Sequence, residues 1–283
     1  MLRLREMLLA DIPFAIRLTG REGWGIPRRD FIRILKLDKH GSFVAVEGRR
    51  RVGLTTTMRY GRTIAWIGNV VVEREYRGRR IGQRLVEHAV SYLSRCRVRH
   101  IALYSFKENL QFYRDLGFVY GARFARLRRE PKPGTTGLTV EAPFNSPTMS
   151  SILEMDRKAF GADRRALITI LMREGSAWYF GYKRDSRRSY ILVKKYYDLD
   201  EIGPWISFGL GSTELDALLR LAISRSNRKP IEISCPVANR QAQQILKKHH
   251  FRVTNEGRVL FYRRLGTLGD PRALVAHGFL DKG

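Results

Sequence analysis

Residues 67–86 constrain this chain more than any other stretch, because a strand, a basic glycine-containing turn and an amphipathic helix follow one another there without a gap. Val70, Val71 and Val72 form a β-branched run suited to a buried strand. Behind the turn, Ile81, Leu85, Val86, Ala89, Val90 and Leu93 recur at helical spacing. Between them Arg77, Gly78, Arg79, Arg80, Ile81 and Gly82 place guanidinium charge and close-approaching backbone at the helix start. The first N–H groups of a helix have no intrahelical partner, and the macrodipole is positive there. Such a turn suits a pyrophosphate. It is not a P-loop, since no Gly-Lys-Ser/Thr follows a strand. Nor is it a dinucleotide fingerprint, since Gly78 and Gly82 give only Gly-x-x-x-Gly.

A second constellation follows a short strand at residues 100–104. In Asn109-Leu-Gln-Phe-Tyr-Arg-Asp-Leu-Gly-Phe118, Leu110, Tyr113 and Leu116 share one helix face, and Gly117 can stop the helix before Phe118 opens a strand. Together the two segments resemble the GNAT acetyltransferase superfamily, whose signature is Arg/Gln-x-x-Gly-x-Gly/Ala followed downstream by Asn…Tyr-x-x-x-Gly-Phe. The first motif runs from Arg77 to Gly82, with Arg80 at the usual middle glycine. That substitution adds charge, and it strains the turn if the position needs a positive φ. The second motif matches at Asn109, Tyr113, Gly117 and Phe118, with a shorter Asn-to-Tyr spacing than usual. The resemblance covers residues 1 to about 128.

Length and composition suit that expectation. A chain of 283 residues, 43% hydrophobic, can bury a sizeable core and divide into two domains. No apolar run approaches the ~20 residues of a membrane span, and the start lacks a secretory h-region, so a cytoplasmic protein is expected. Cys96 and Cys235 are isolated, which argues against a disulfide framework or zinc site. His249-His250 reads as a solvated helix end, and no metal is expected. The net charge of +26 is rich in arginine and denser in residues 1–130. It fits a nucleic-acid or other polyanionic partner, and equally a solvated arginine-biased surface.

The chain divides at a Pro/Gly linker, residues 129–137. Before it, a strand at 2–5, helices at 10–19 and 27–37, and a meander at 42–47, 51–60 and 63–72 lead into the motif helix. After it the plan recurs: helices at 147–159 and 164–174, strands at 177–182, 189–195 and 202–208, a helix at 212–224, a strand at 230–234, a helix at 239–249 and a strand at 251–263. Asp156…Phe160-Gly-Ala-Asp-Arg164, Ile202-Gly-Pro-Trp205 and Pro236…Asn239 resemble the C-terminal GNAT-like domain of tandem acetyltransferases, whose N-terminal domain carries a Gly-Trp motif like Gly23-Trp24. The expected fold is therefore α/β: two tandem GNAT-like domains, residues 1–128 and 138–283, each a mixed, mostly antiparallel twisted sheet flanked by helices. The second copy lacks the chemistry, with Gly209-Leu-Gly-Ser in place of the arginine loop and Leu246 in place of the tyrosine.

The resemblance implies N-acetyl transfer from acetyl-CoA to an amine by direct attack in a ternary complex. It implies that pantetheine and the oxyanion meet the backbone of Val70, Val71 and Val72, that Arg77, Gly78, Arg79, Arg80, Ile81 and Gly82 hold the pyrophosphate, and that Asn109 and Tyr113 also line the cofactor. Tyr113 becomes the acid that protonates the thiolate, and Trp24 lies on the acceptor side. Glu73 adjoins the strand end as a second catalytic candidate, while Glu22, Tyr104 and a water relay stay open as the base. The alternative is a non-enzymatic RNA- or DNA-binding protein on a degenerate tandem scaffold. The acceptor stays unassigned, and either a monomer or a homodimer is compatible with the sequence.

Overall fold

A computed structural model describes residues 1–131, 147–184, 186–226, 229–266 and 269–283. The first half runs β1 (Leu2–Glu6), α1 (Ile12–Arg21), α2 (Arg28–Leu37), β2 (Phe43–Glu47), β3 (Arg50–Tyr60), β4 (Ile64–Val72), α3 (Ile81–Arg95), β5 (His100–Phe106), α4 (Leu110–Asp115) and β6 (Phe118–Arg129). The second half runs α5 (Met149–Phe160), α6 (Arg165–Arg173), β7 (Ala177–Arg184), β8 (Arg187–Lys195), β9 (Asp200–Phe208), α7 (Ser212–Arg225), β10 (Ile231–Pro236), α8 (Arg240–Lys248), β11 (Arg252–Tyr262) and β12 (Leu274–Ala276). The element order follows the sequence expectation closely. Pro27 caps α2 from outside at φ −77°, one position earlier than the sequence suggests.

All these strands join one sheet, in the order β1-β2-β3-β4-β5-β11-β6-β10-β9-β8-β7, with β12 beside β9. The order discloses an exchange. β11, from the second half, lies antiparallel between β5 and β6, while β6, from the first half, lies antiparallel between β11 and β10. Side-chain alternation makes the exchange structural in both directions. Val259 and Phe261 of β11 join the core beneath α1 and α2, and Leu260 joins the core beneath α3. Reciprocally, Ala125 and Leu127 of β6 join the second-half core under α7 and α8.

β6 runs past the expected linker start, and Arg129 pairs with Ile231, so the linker begins beyond residue 129. Along this arginine-rich end Arg126 lies against Glu232 and within 3.4 Å of Glu201, and Arg128 lies 3.3 Å from Glu232, while the buried Nε of Arg129 has no hydrogen-bond partner among the described residues. The rest of the expected linker, from residue 132, lies outside the described residues. The α1/α2 core also reaches across, gathering Ile12, Phe31 and Ile34 with Leu167, Leu171 and Phe279 of the second half.

Leu260 is fully buried on the exchanged strand. Leu260→Ala should cost about 2–5 kcal/mol, the usual range for a buried leucine truncation. In single-tryptophan backgrounds, buried Trp66 and Trp205, one in each half, should report a single coincident denaturant transition. Two separated transitions would mean that the halves unfold independently.

Candidate active site

The site is built where β4 leaves β5. The two strands are paired in parallel only at Ile64–His100, Ala65–Ile101 and Trp66–Ala102. Beyond that point β4 carries a bulge: Leu54 of β3 faces Val71, yet Thr56 faces Gly68. Asn69 absorbs the extra residue at φ +53°, a conformation that Asn tolerates better than the surrounding valines. Its amide is buried and donates to Thr56 Oγ1 at 3.0 Å. Val71 and Val72 are buried and Val70 half-buried, so the strand delivers rigid backbone to the gap.

After Val72, a single 3₁₀ turn (Arg74–Tyr76) leads to Gly78 at φ +77° and Arg80 at φ +56°, and then to α3. The strain anticipated for arginine at the middle position is thus present. Arg80 stands at the cap of α3, and no side chain caps that helix. Its first N–H groups face outward beside exposed Gly78, Arg79 and Arg80. Arg77 donates through Nε to the Val72 carbonyl at 3.0 Å, which ties the turn to the strand, and pairs with Glu22 at 2.5 Å. Arg79 pairs with Glu47 at 2.6 Å and lies over Tyr76. Ile81 is buried and anchors the helix.

α4 packs against this start. A Cβ on Gly82 would sit 3.6 Å from the Phe112 ring, whose centroid is 4.9 Å from that of Tyr113. Tyr113 is half-buried beside Phe118, and burial pushes its hydroxyl well above the ordinary tyrosine value. It stays protonated at neutral pH, as an unshifted tyrosine would too, so its hydroxyl has a proton to donate. Asn109 is exposed at the head of α4 and makes no capping bond.

The remaining candidates separate. Glu73 is held by Arg21 at 2.5 Å, and Glu22 by Arg77, so neither carboxylate is unpaired. Tyr104 stacks on Trp66 at 4.4 Å and meets His277 Nδ1 at 3.0 Å. Burial raises its hydroxyl well above the ordinary value, and burial with the nearby Arg164 charge lowers His277 to about 3. Trp24 is 45% exposed in a turn between Gly23 and Gly25, both at positive φ, so it does not cap the core. Asn69, Trp66 and residues 277–283 were not singled out from sequence. The one available signal was an asparagine interrupting a β-branched strand.

The corresponding place in the second half is closed by its own side chains. Gly209 again takes positive φ, at +77°, but Glu214 accepts from the Gly211 N–H at 3.1 Å and also binds Arg187 at 2.9 Å. A carboxylate thus sits where an anion would bind α7. Leu246 is fully buried at the tyrosine's counterpart. His249 is not simply solvated: its Nε2 lies 2.9 Å from Asp216.

Family comparison agrees with this duplication. A model of the acetyltransferase (GNAT) family matches residues 9–118, and an acetyltransferase (GNAT) domain model matches residues 152–267. The chain belongs to the GNAT family. Among solved structures, this tandem GNAT resembles a Pyrococcus horikoshii protein provisionally described as an acetyltransferase, with TM-score 0.78, 21% identity, and coverage of 100% of this chain and 96% of that one. A GCN5-related N-acetyltransferase from Sphaerobacter thermophilus gives TM-score 0.66 at 14% identity, covering 95% and 98%. A tandem GNAT protein from the clavulanic acid biosynthesis pathway gives 0.67 at 11%, covering 94% and 100%. No curated protein matches the chain. Likeness at such identities establishes the fold and leaves the acceptor open. Nothing in it favours the nucleic-acid alternative. Among the described residues, no helix is long and apolar enough to cross a membrane, and no His/Cys/Asp/Glu group could hold a metal.

Acetyl-CoA should raise the melting temperature of the native protein by mass action. Gly82→Asp should leave the fold intact, because a Cβ there meets only ordinary contacts, and should abolish that shift by setting a carboxylate against the phosphates. Calorimetry should give one CoA per chain, since Glu214 and Leu246 close the second-half counterpart. Two CoA per chain would contradict this assignment.

Proposed function

We propose that this GNAT protein is an N-acetyltransferase that moves acetyl from acetyl-CoA to an amine at its first-half site. The reading rests on one observation: α3 begins uncapped, behind a turn holding Gly78 and Arg80 in the left-handed region, beside strands that part after Trp66–Ala102. The pyrophosphate takes the N–H groups of Ile81 and Gly82 with Arg79 and Arg80. Arg77 serves mainly to fix the turn against Val72. Pantetheine runs along β4 as an added strand, pairing with backbone of Val70 to Val72, and Asn109 meets it from α4.

The acceptor nitrogen attacks the thioester carbonyl, forming C–N as the C–S electron pair leaves with CoA. The transient oxyanion is met by backbone N–H at the β4 bulge, where Asn69 turns Val70 out of the ladder with β3. Tyr113 returns a proton to the sulfur. Glu73 directly follows the strand end, and its pairing with Arg21 supports a role in orienting α1 or in accepting the amine proton through water. Trp24 stands exposed on the acceptor side.

Tyr113→Phe keeps the ring contacts with Phe112 and Phe118 and removes only the donor. kcat should drop roughly 10- to 1000-fold with CoA affinity little changed, as expected for loss of a general acid. An unchanged kcat would leave Tyr113 a packing residue.

A further inference from the structure

The helices on one face of the sheet leave a strip of its middle exposed. Directly opposed residues of an antiparallel pair share a face. Ala125 with Glu256, Arg123 with Arg258 and Tyr120 with Leu260 therefore lie on one side. Ala125 belongs to the core under α7 and α8, and Leu260 to the core under α3, so both helix layers stand on that side. Between them Arg123 is exposed and Arg258 half-buried. Toward α8 the strip opens into a cleft of about 570 Å³ lined by Leu127, Phe251, Val253, Gln244, Lys247 and Arg252.

We propose that this strip, from Tyr120 to the cleft beside α8, is a docking surface for single-stranded nucleic acid. The inference does not rest on the acetyl-transfer reading. Unbalanced charge argues first. Arg123 and Arg258 stand directly opposite one another, where like charges are destabilising. Arg258 and Arg114 of α4 both lie over the Tyr120 ring, at 5.2 and 5.3 Å from its centroid. Glu256 meets Arg123 at 3.0 Å and Lys107 at 3.9 Å, but Arg114, Arg258, Lys247 and Arg252 make no ion pair among the described residues. Arg126, on the opposite face, is by contrast met by Glu232 and Glu201. An anion laid along the strip would remove this imbalance.

Spread argues second. The strand from Arg123 to Leu127 covers about 13 Å at ~3.3 Å per residue. One phosphate cannot serve both ends of the strip, and a chain of phosphates can.

Chemistry argues third. Unstacked bases stack on aromatic rings and on guanidinium planes. Arg258 holds its plane in place by donating through Nη1 to the Gly121 carbonyl at 3.1 Å. The cleft adds Val253, 54% exposed, as an apolar surface for a base. The exposed Gln244 amide can both donate to and accept from a base edge. A duplex would hide its base faces from these groups, and an acidic peptide would satisfy the charges alone.

The test titrates the full chain into a fluorescein-labelled uridine strand of about 12 nucleotides, a length within the usual range of single-strand sites, and follows anisotropy. Affinity should fall about 50-fold between about 50 and 200 mM salt, as when about four phosphates are neutralised. Lys247→Glu with Arg258→Glu should weaken binding at least about 10-fold at the lower salt. Arg62→Glu with Arg173→Glu removes the same charge from the β3–β4 turn and the end of α6, and should cost less than about 3-fold because the distance is screened. Equal losses in the two double variants would make the attraction diffuse and overturn the proposal. Arg114→Lys keeps the charge and loses the plane, so it should weaken binding about 3- to 10-fold with the salt dependence unchanged. A thymidine strand of the same length should bind within about 3-fold, because phosphates and base faces are common to RNA and DNA. Its failure to bind, or equally tight binding of the uridine–adenosine duplex or of a labelled polyglutamate peptide, overturns the assignment to single-stranded nucleic acid. Absence of binding at the lower salt overturns the proposal outright. Should Arg258→Glu fail to fold, Lys247→Glu with Arg252→Glu, at two exposed positions, replaces it with the same expected loss.

Discussion

The exchange of β6 and β11 through the middle of the sheet is the constraint on which the rest depends. In a simple pair of domains, the gap beside β5 would be filled by a strand from the same half. Here β11 fills it, and residues 252–262 belong to the later half of the sequence. The cores become mutual, since Leu260 packs beneath α3 and Leu127 under α7 and α8. A substitution on either exchanged strand therefore acts on the opposite half. The arrangement also fixes β5, and so the geometry of the opening between β4 and β5, through contacts that the first half does not supply alone.

The two halves have the same plan but opposite provisions for an anion. α3 opens without a cap and presents its N–H groups beside Arg79 and Arg80, whereas α7 supplies Glu214 from its own first turn. A carboxylate at a helix start captures the favourable dipole interaction that a phosphate would otherwise make. At the next helix the contrast repeats, with Tyr113 set against buried Leu246. The second half keeps the sheet and fills both places with its own side chains. It still reaches the first-half site physically, because Asp281 lies against Gly68 and within 3.4 Å of the Asn69 amide.

Much of this was legible in the sequence because the decisive signals are local. A β-branched run followed by Arg77 to Gly82 and a helical apolar stripe specifies strand, turn and helix without reference to anything distant. The absence of arginine from Gly209-Leu-Gly-Ser and of tyrosine at Leu246 is equally local. What could not be read was non-local. Strand periodicity identifies β6 and β11 but carries no record of which neighbours they choose. β6 extends to Arg129 by pairing with β10, and Glu232 and Glu201, residues more than seventy positions away, neutralise Arg126 and Arg128 in a stretch otherwise resembling a charged turn. Residues 277–283 have no periodicity, and their place follows only from buried partners such as Asp30 and Tyr60.

Arg80 shows how a local departure from pattern becomes informative once its geometry is known. A non-glycine residue in the left-handed region costs on the order of 1–3 kcal/mol when the surroundings enforce it. Glycine would relieve that strain, yet arginine stands there, exposed and in no ion pair among the described residues. Burial gives no compensation, because the side chain is exposed. The compensation available is electrostatic: a positive charge at the positive end of α3 raises the potential for an anion while disfavouring the empty state. The first-half turn thus combines a left-handed arginine with uncompensated positive charge, whereas Gly209 and Glu214 leave its counterpart both relaxed and neutralised.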